Sequence, residues 1–290
     1  MSLATGDLTT LANARLYLSN PPSDQVLSSM ILRISRWIQS ELNRGLLVPK
    51  AYTDQYDGTG TAQLVLSRWP LIGLPTVTIS GVSVPLAPQA NSVSIPGTPY
   101  GFRVPAWDGI PPGDPPVIEL SGFRFLYGRQ NVVISYTAGY QVTGEAQTIP
   151  GTPYQITPIT PFGIWATDQG VTYASSGATL TPIASGTPSV GQYVPPNPSA
   201  SSPILYYQFA AADTSRGVLL NYGFIPAELE QAAIELIGER AAYRSRIGIR
   251  SQMLASQESM TFDSSGIPRY ILDMIYPYIN VLPPPMGASL

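Results

Sequence analysis

The stretch SDQVLSSMILRISRWIQSELNRG, residues 23–45, contains the clearest secondary-structure signal in the chain. Its apolar residues recur at spacings of three and four, which is typical of one face of an α-helix packed on a core. Ser23 suits the N-cap, and Asp24 follows in the first turn, where the helix dipole favours an acid. Gly45 suits the position just beyond the helix end. The stretch therefore predicts a long amphipathic helix.

Further helices are predicted toward both ends of the chain. Residues 7–17 show a short amphipathic pattern, Pro226 opens a second long pattern, and residues 268–278 form a third. Because neither end has enough amphipathic helices to bury its own apolar stripes, we expect residues 1–50 and 223–282 to pack together as one helical unit. The expected core residues of this unit are Val26, Ile34, Trp37, Leu229, Leu236 and Ile275.

The middle of the chain has a different composition. Residues 85–222 hold 19 of the 30 prolines but only ten charged side chains. Apolar runs at 64–66, 76–79 and 132–136 predict β-strands, and the Pro and Gly between such runs favour short strands joined by turns. The sequence 57–60, Asp-Gly-Thr-Gly, is predicted to be a turn.

These patterns predict an α+β fold with a helical core formed by the two ends and a β-rich middle. Residues 51–140 form a β-rich segment attached to the core, and residues 141–222 an inserted β-sandwich or barrel-like module. Residues 283–290, after three consecutive prolines, are expected to be a loose tail. The hexapeptide Ile-Pro-Gly-Thr-Pro-Tyr occurs at 95–100 and at 149–154, which fits either a duplicated β module or two independent turns.

Several function classes are excluded or disfavoured by composition. The chain has no Cys and no His, which excludes disulfides, thiolate chemistry and catalytic triads that depend on His. Its one lysine, Lys50, does not lie in a phosphate-binding loop motif. A net charge of −3 disfavours a protein held on nucleic acid by a basic surface. The start lacks signal-peptide features and no run of 18 apolar residues occurs. We therefore expect a soluble, non-enzymatic protein with no cofactor and no membrane partner.

Two sets of residues are candidate contact sites. The arginines Arg240, Arg244, Arg246 and Arg250 form the densest basic cluster. They fit a solvated or subunit-contact face, and alternatively a face near DNA phosphates. Of the aromatic residues, Trp165, Tyr173 and Tyr193, together with Trp107, could stack on sugars at the surface of the β region, although aromatic residues are also ordinary strand residues.

A series of short motifs follows in one order along the chain. Each alone is ordinary turn, strand or helix chemistry. The motifs are LNRG (42–45), YTDQYDGTG (52–60), LVL (64–66), WP (69–70), VTISG (77–81), VISYTAGY (133–140), IPAELEQA (225–232), ESMTF (258–262) and LDMIYPY (272–278). In this order they resemble the head–tail connector (adaptor, head-completion) proteins of tailed bacteriophages. The resemblance covers residues 7–84, 131–140 and 223–280, and the stretch 141–222 departs from it.

The resemblance implies a homo-oligomeric ring, typically of twelve subunits, beneath the portal protein in the neck of the virion. Such a ring is assembled in the host cytoplasm. It extends the DNA channel, lets the genome pass without binding it specifically, and provides a platform for the next neck or tail-completion protein. The arginine cluster is then expected to contact a neighbouring subunit or the portal. The alternative is a β-rich carbohydrate- or surface-binding protein that decorates a phage tail or capsid.

Overall fold

The computed structural model describes residues 6–87, 100–106, 109–198, 203–244, 251–254, 258–261 and 267–281. These residues form helices at both ends and mostly antiparallel sheets between them, which confirms the predicted α+β class. The predicted tail at 283–290 lies outside the described residues. The α-helices in the described ranges are α1 (Leu11–Tyr17), α2 (Asp24–Leu42), α3 (Ala227–Arg244) and α4 (Arg269–Ile275).

Helix α2 begins directly after Ser23, the predicted N-cap residue, and ends at Leu42. The Ser23 side chain makes no capping hydrogen bond, and the left-handed residue that ends the helix is Asn43, with φ 48°, instead of Gly45. Asn tolerates this conformation because its short polar side chain can bond locally. Helix α1 begins later than predicted, at Leu11, because the Thr10 hydroxyl accepts a hydrogen bond from the Asn13 amide at 3.0 Å and caps the helix there.

Buried residues from all four helices belong to one apolar cluster, together with Leu47, Tyr140 and Phe224. Of the expected core residues, Ile34, Leu229, Leu236 and Ile275 are buried in it, and Trp37 is partly buried against it. Val26 is only half-buried and lies outside the cluster, so its prediction is wrong. The buried face of α2 runs through Leu27, Ile31, Ile34, Ile38 and Leu42, which places Val26 one position off that face.

Two sheets follow α2 and share a second buried cluster. The first sheet has the order β1-β7-β3-β4 and the second the order β2-β6-β5. Their strands are β1 (Lys50–Gly58), β2 (Gln63–Val65), β3 (Leu71–Ile79), β4 (Val82–Val84), β5 (Gly101–Arg103), β6 (Val117–Ser121) and β7 (Gly128–Ala138). The turn predicted from residue 57 starts two residues later, because β1 pairs with β7 as far as Gly58. A Cβ at Gly58 would lie 1.7 Å from the Leu126 carbonyl oxygen, so only glycine fits there.

A third cluster is shared by two further sheets, with the orders β10-β14-β8 and β11-β12-β13-β9. The strands are β8 (Gln141–Thr148), β9 (Gln155–Ile156), β10 (Gly163–Tyr173), β11 (Thr181–Pro182), β12 (Gln192–Val194), β13 (Tyr207–Phe209) and β14 (Gly217–Pro226). Gln141, at the start of β8, pairs with Gly223 on β14. A separate hairpin is formed by β15 (Ser251–Leu254) and β16 (Glu258–Thr261).

Strand β14 connects the third cluster to the helical one. Its first half contributes Val218 and Leu220 to the β cluster, and its second half contributes Phe224 and Ile225 to the helical cluster. Pro226, predicted to be the first helical residue, is instead the last strand residue and pairs with Gly163, so α3 starts one position later.

A buried arginine joins the helical cluster to the first two sheets. Arg44 is 3% exposed, and its guanidinium carbon lies 4.2 Å from the Trp69 ring centre and 5.2 Å from that of Tyr140. It donates hydrogen bonds to the carbonyl oxygens of Trp69, Pro112 and Tyr278. Burial lowers the pKa of Arg44, while the nearby tyrosines raise it. The aromatic faces and carbonyl dipoles thus take the place of a carboxylate partner.

A buried ion pair lies within the first of these sheets and its loops. Arg68 Nε is 3.2 Å from Asp54 Oδ2, and both side chains are buried. The Tyr136 hydroxyl donates to the same carboxylate oxygen at 2.6 Å, and the Arg68 guanidinium carbon lies 4.1 Å from the Tyr52 ring centre. Burial raises the pKa of Tyr136, so its hydroxyl keeps the proton that it donates.

In the described ranges, no helix has both the length and the apolar character needed to cross a membrane.

Candidate functional site

A cavity of about 490 Å³ lies beside the first turn of α3. Three segments that are distant in sequence form its walls, namely Ile110 with Pro111, the loop 160–164 that leads into β10, and the helix start at Ala227. A volume of this size is typical of ligand and peptide pockets. The backbone joins the loop to the helix, because the Ala227 amide donates to the Phe162 carbonyl at 3.1 Å.

Two carboxylates line this cavity. Glu228 is exposed, and its Oε2 accepts a hydrogen bond from the Tyr278 hydroxyl at 2.9 Å. Glu230 is buried, and its Oε1 accepts from the Thr9 hydroxyl at 3.0 Å and from Asn13 Nδ2 at 2.8 Å. Burial raises the pKa of Glu230, and these two hydrogen bonds oppose the rise. Neither carboxylate has an ion-pair partner among the residues that the structure describes.

A second, smaller cavity of about 190 Å³ continues from the first and shares Thr160 and Ile164 with it. Its lining is mostly apolar and includes the three prolines Pro158, Pro198 and Pro203. Around the two cavities, several large apolar side chains are exposed: Ile110, Ile159, Phe162 and Leu205. We call the two cavities and this rim the α3 groove. It is suited to an apolar segment that also carries positive charge.

The sequence indicates the α3 groove only in part. Glu228 and Glu230 follow Pro226 at the start of a helical pattern, where the helix dipole favours acids. Their second feature, a position opposite a proline-rich loop, depends on tertiary contacts between Pro111, Pro161 and the helix start. No local pattern encodes those contacts. In the described ranges, no group of three or more carboxylates is arranged to hold a metal ion.

The predicted arginine cluster lies at the opposite end of the same helix. Arg240 is exposed on the last turns of α3, and Arg244 is the final residue of the helix. Arg246 and Arg250 lie outside the described residues. The structure therefore separates Arg240 and Arg244 from the two acids of the α3 groove by most of the helix length.

The predicted aromatic contact surface does not fit the structure for two of its three residues. Trp165 and Tyr193 are buried, with 7% and 0% exposure, and face the interior of the third cluster. Tyr173 is half-buried, with the Arg216 guanidinium carbon 5.3 Å from its ring centre. Trp107 lies outside the described residues.

The buried aromatics are held by a carboxylate, which explains their position. Asp168 accepts hydrogen bonds from the Tyr193 hydroxyl at 2.6 Å and the Tyr207 hydroxyl at 3.2 Å. The Trp165 indole donates to the Tyr207 hydroxyl at 3.0 Å. Their polar atoms are thus satisfied inside the module, which frees the rings to pack in its core.

We expect the stability of Asp168→Asn relative to the wild type to increase as pH rises from about 4 toward neutral. Burial raises the pKa of Asp168 despite its hydrogen bonds from Tyr193 and from the Gly170 amide. When the pKa of a carboxyl group is higher in the folded than in the unfolded protein, the protein becomes less stable as the pH rises. The loss begins at the unfolded pKa, about 4, and continues through the folded pKa. Asparagine keeps one acceptor, for Tyr193, and has no charge to desolvate, but its Nδ2 replaces the oxygen that accepts from Tyr207 and from the Gly170 amide.

The measurement is the midpoint of thermal unfolding between pH 3.5 and 8. The unfolding midpoint of the Asp168→Asn variant should rise relative to that of the wild type as pH rises. The change relative to the wild type should be smallest at the acidic end. Asp114→Asn, which changes an exposed carboxylate, is the matched control and should follow the wild type. An advantage of Asp168→Asn that is largest at pH 3.5 and vanishes at pH 8 would contradict the prediction.

Comparison with protein-family models and with curated protein sequences found no match to the chain.

Proposed function

We propose that the chain is a non-enzymatic virion structural protein, a head–tail connector of a tailed bacteriophage. In this proposal it forms a ring, typically of twelve subunits, beneath the portal protein in the virion neck. The ring extends the DNA channel and provides a docking platform for the next neck or tail-completion protein. It is assembled in the host cytoplasm, and genomic DNA passes through it without specific binding.

One observation carries this proposal. The segments that resemble the connector family are far apart in sequence, yet they pack on one another. The motifs at 42–45, 133–140, 225–232 and 272–278 all contribute residues to the helical cluster, including Leu42, Tyr140, Leu229 and Ile275. A shared core for the family-like segments is what a connector frame requires, whereas an independent sugar-binding module does not need it.

The proposed domain division rests on how residues 141–222 join the part of the chain that resembles the connector family. Residues 1–50 and 223–282 form the helical connector core, residues 51–140 the attached β-rich segment, and residues 141–222 an inserted module. The pairing of Gln141 with Gly223 supports this division, because it brings the entry and the exit of residues 141–222 side by side. Among the described residues, the strands of the two sheets in that stretch pair only within their own sheet.

Exposed apolar side chains on the helical part favour contact with other proteins. Leu16 is 90% and Tyr276 74% exposed, and Tyr17 and Tyr270 are also exposed. Exposed aromatic residues of this kind are enriched at protein–protein interfaces. The carbohydrate-binding alternative loses its main support, because Trp165 and Tyr193 are buried and cannot form a stacking platform.

The test is the mass of the purified protein in solution, measured by mass photometry with and without the portal protein. We expect a species near twelve times the 31.1 kDa chain mass, either alone or once the portal is added. We also expect no submicromolar binding to duplex DNA at physiological salt, because residues 228–250 carry as many acids as arginines. A stable trimer would favour the tail-decoration alternative. Tight duplex binding that weakens steeply with salt would contradict the proposed passive channel.

A further inference from the structure

Residues 240–250, RAAYRSRIGIR, combine positive charge with apolar side chains. They contain four arginines and no acid, and Ile247 and Ile249 lie between the last two arginines. Arg240 and Tyr243 are exposed on the described part of this segment. A segment of this composition needs a partner surface that is both acidic and apolar.

The α3 groove has both properties. Glu228 is exposed, and its second carboxylate oxygen, Oε1, accepts no hydrogen bond from a residue that the structure describes. Around it lie the apolar Ile110, Phe162 and Ile164. An arginine can therefore bind the carboxylate while neighbouring apolar side chains pack on the rim.

We propose that the α3 groove of one subunit receives residues 240–250 of the next subunit, so that the ring closes through head-to-tail contacts. This inference rests on the proposed function for its assembly, and it adds the surface and the segment that meet. In this contact, an arginine of one subunit forms a salt bridge with Glu228 of its neighbour, and apolar contacts flank the salt bridge.

A subunit cannot satisfy its own groove with the helical arginines. Glu230 and Arg240, the nearer of the two helical arginines, are ten residues apart on one continuous helix, which places them about 15 Å apart along its axis. That separation exceeds the reach of an arginine side chain. Because Glu230 and the two helical arginines, Arg240 and Arg244, are fixed toward opposite ends of α3, these charges can meet only between copies.

This arrangement also determines the type of assembly. An interface that joins two different surfaces of identical chains is heterologous, and repetition of such a contact produces a closed ring when the rotation between subunits allows closure. A face-to-face dimer would instead use one surface twice. Mass distinguishes the two modes, because a face-to-face contact stops at two chains and a head-to-tail contact continues beyond two.

The experiment uses two full-length variants that each damage one side of the contact. Glu228→Lys damages the groove, and Arg244→Glu with Arg246→Glu damages the inserted segment. Each variant alone is expected to lose the ring. In an equimolar mixture, the intact segment of the first can enter the intact groove of the second, and the reversed charges of the two variants complement each other at the next contact. The mixture should therefore recover a ring of alternating variants, whereas each variant alone stays at the 31.1 kDa mass of one chain.

A charge swap on one chain gives the complementary result. Combining Glu228→Arg with Arg244→Glu and Arg246→Glu should restore the ring that each change abolishes. Ile110→Lys is a second groove variant that leaves both carboxylates in place, and it should also abolish the ring. Glu41→Lys makes the same charge change as Glu228→Lys at an exposed site on α2, and it should assemble like the wild type.

A labelled peptide of residues 240–250 separates this inference from the proposed function. We expect it to bind a monomeric preparation of the chain and to bind the Glu228→Lys variant about tenfold more weakly or worse. If the wild type forms no ring but the peptide binds in this way, the connector proposal fails and the groove assignment stands. If the ring forms and Glu228→Lys leaves both the ring and peptide binding intact, the groove assignment is overturned and the connector proposal stands.

Discussion

Asp54→Ala is expected to lower the free energy of unfolding by about 3–5 kcal/mol. The substitution leaves the Arg68 guanidinium, 6% exposed, without its carboxylate. It also removes the acceptor of the buried Tyr136 hydroxyl, which donates to Asp54 Oδ2. An uncompensated buried charge costs far more than the pair itself contributes, and the Tyr52 ring beside Arg68 offsets only part of that cost.

Urea unfolding, followed by circular dichroism, measures this loss. Asp24→Ala is the matched control, since it removes the carboxylate of an ion pair with Arg15 in which both side chains are about half exposed. Such exposed pairs contribute about 1 kcal/mol or less. Equal losses for Asp54→Ala and Asp24→Ala would show that the buried ion pair contributes no more to the free energy of unfolding than the exposed one.

Tyr140→Ala is expected to cost about 3–5 kcal/mol, because Tyr140 is fully buried where several elements meet. Its ring packs against Phe224 and Tyr278, and it lies beneath the Arg44 guanidinium. Its hydroxyl donates to the Pro112 carbonyl at 2.6 Å. The truncation therefore leaves a cavity between the helical cluster and the first two sheets.

Tyr140→Phe separates the ring from the hydroxyl. It keeps the packing and removes one hydrogen bond to a carbonyl, so we expect a loss of about 1–2 kcal/mol. Tyr127→Ala changes a tyrosine that is 85% exposed and should have little effect on the free energy of unfolding. If Tyr140→Phe lowered the free energy of unfolding as much as Tyr140→Ala does, the stabilisation would come from the hydroxyl and not from the packing of the ring.

Local sequence patterns predicted the helices better than any other feature. The bounds of α2 follow from a 3.6-residue period that is strong over nineteen residues. The same period could not decide between Val26 and Leu27, since a small rotation of the helix exchanges which of them faces the core. The helix likewise ends with Asn43, two positions before the predicted Gly45, because both residue types tolerate the left-handed conformation.

The β region was less predictable because its decisive interactions are non-local. The sequence around Asp57 and Gly58 is typical of a turn, yet pairing with β7 continues the strand through it. Likewise, a strand pattern alone does not tell whether Trp165 faces solvent or the interior. The hydrogen bonds that bury Trp165 and Tyr193 reach from β10 to β12 and β13, as far as 42 residues along the chain.

The pairing of Gln141 with Gly223 has a consequence for how this chain can change over time. Directly opposite residues of an antiparallel pair are about 5 Å apart, a gap that a two-residue hairpin turn closes without moving either strand. The frame on one side of this gap also packs against Ala166, Val142 and Ile164, which belong to residues 142–222. A domain that takes the place of residues 142–222 therefore needs termini that lie this close together and an apolar surface that covers the helical cluster in the same way. With both, this part of the chain can be replaced or refitted to a new partner while the frame keeps its core.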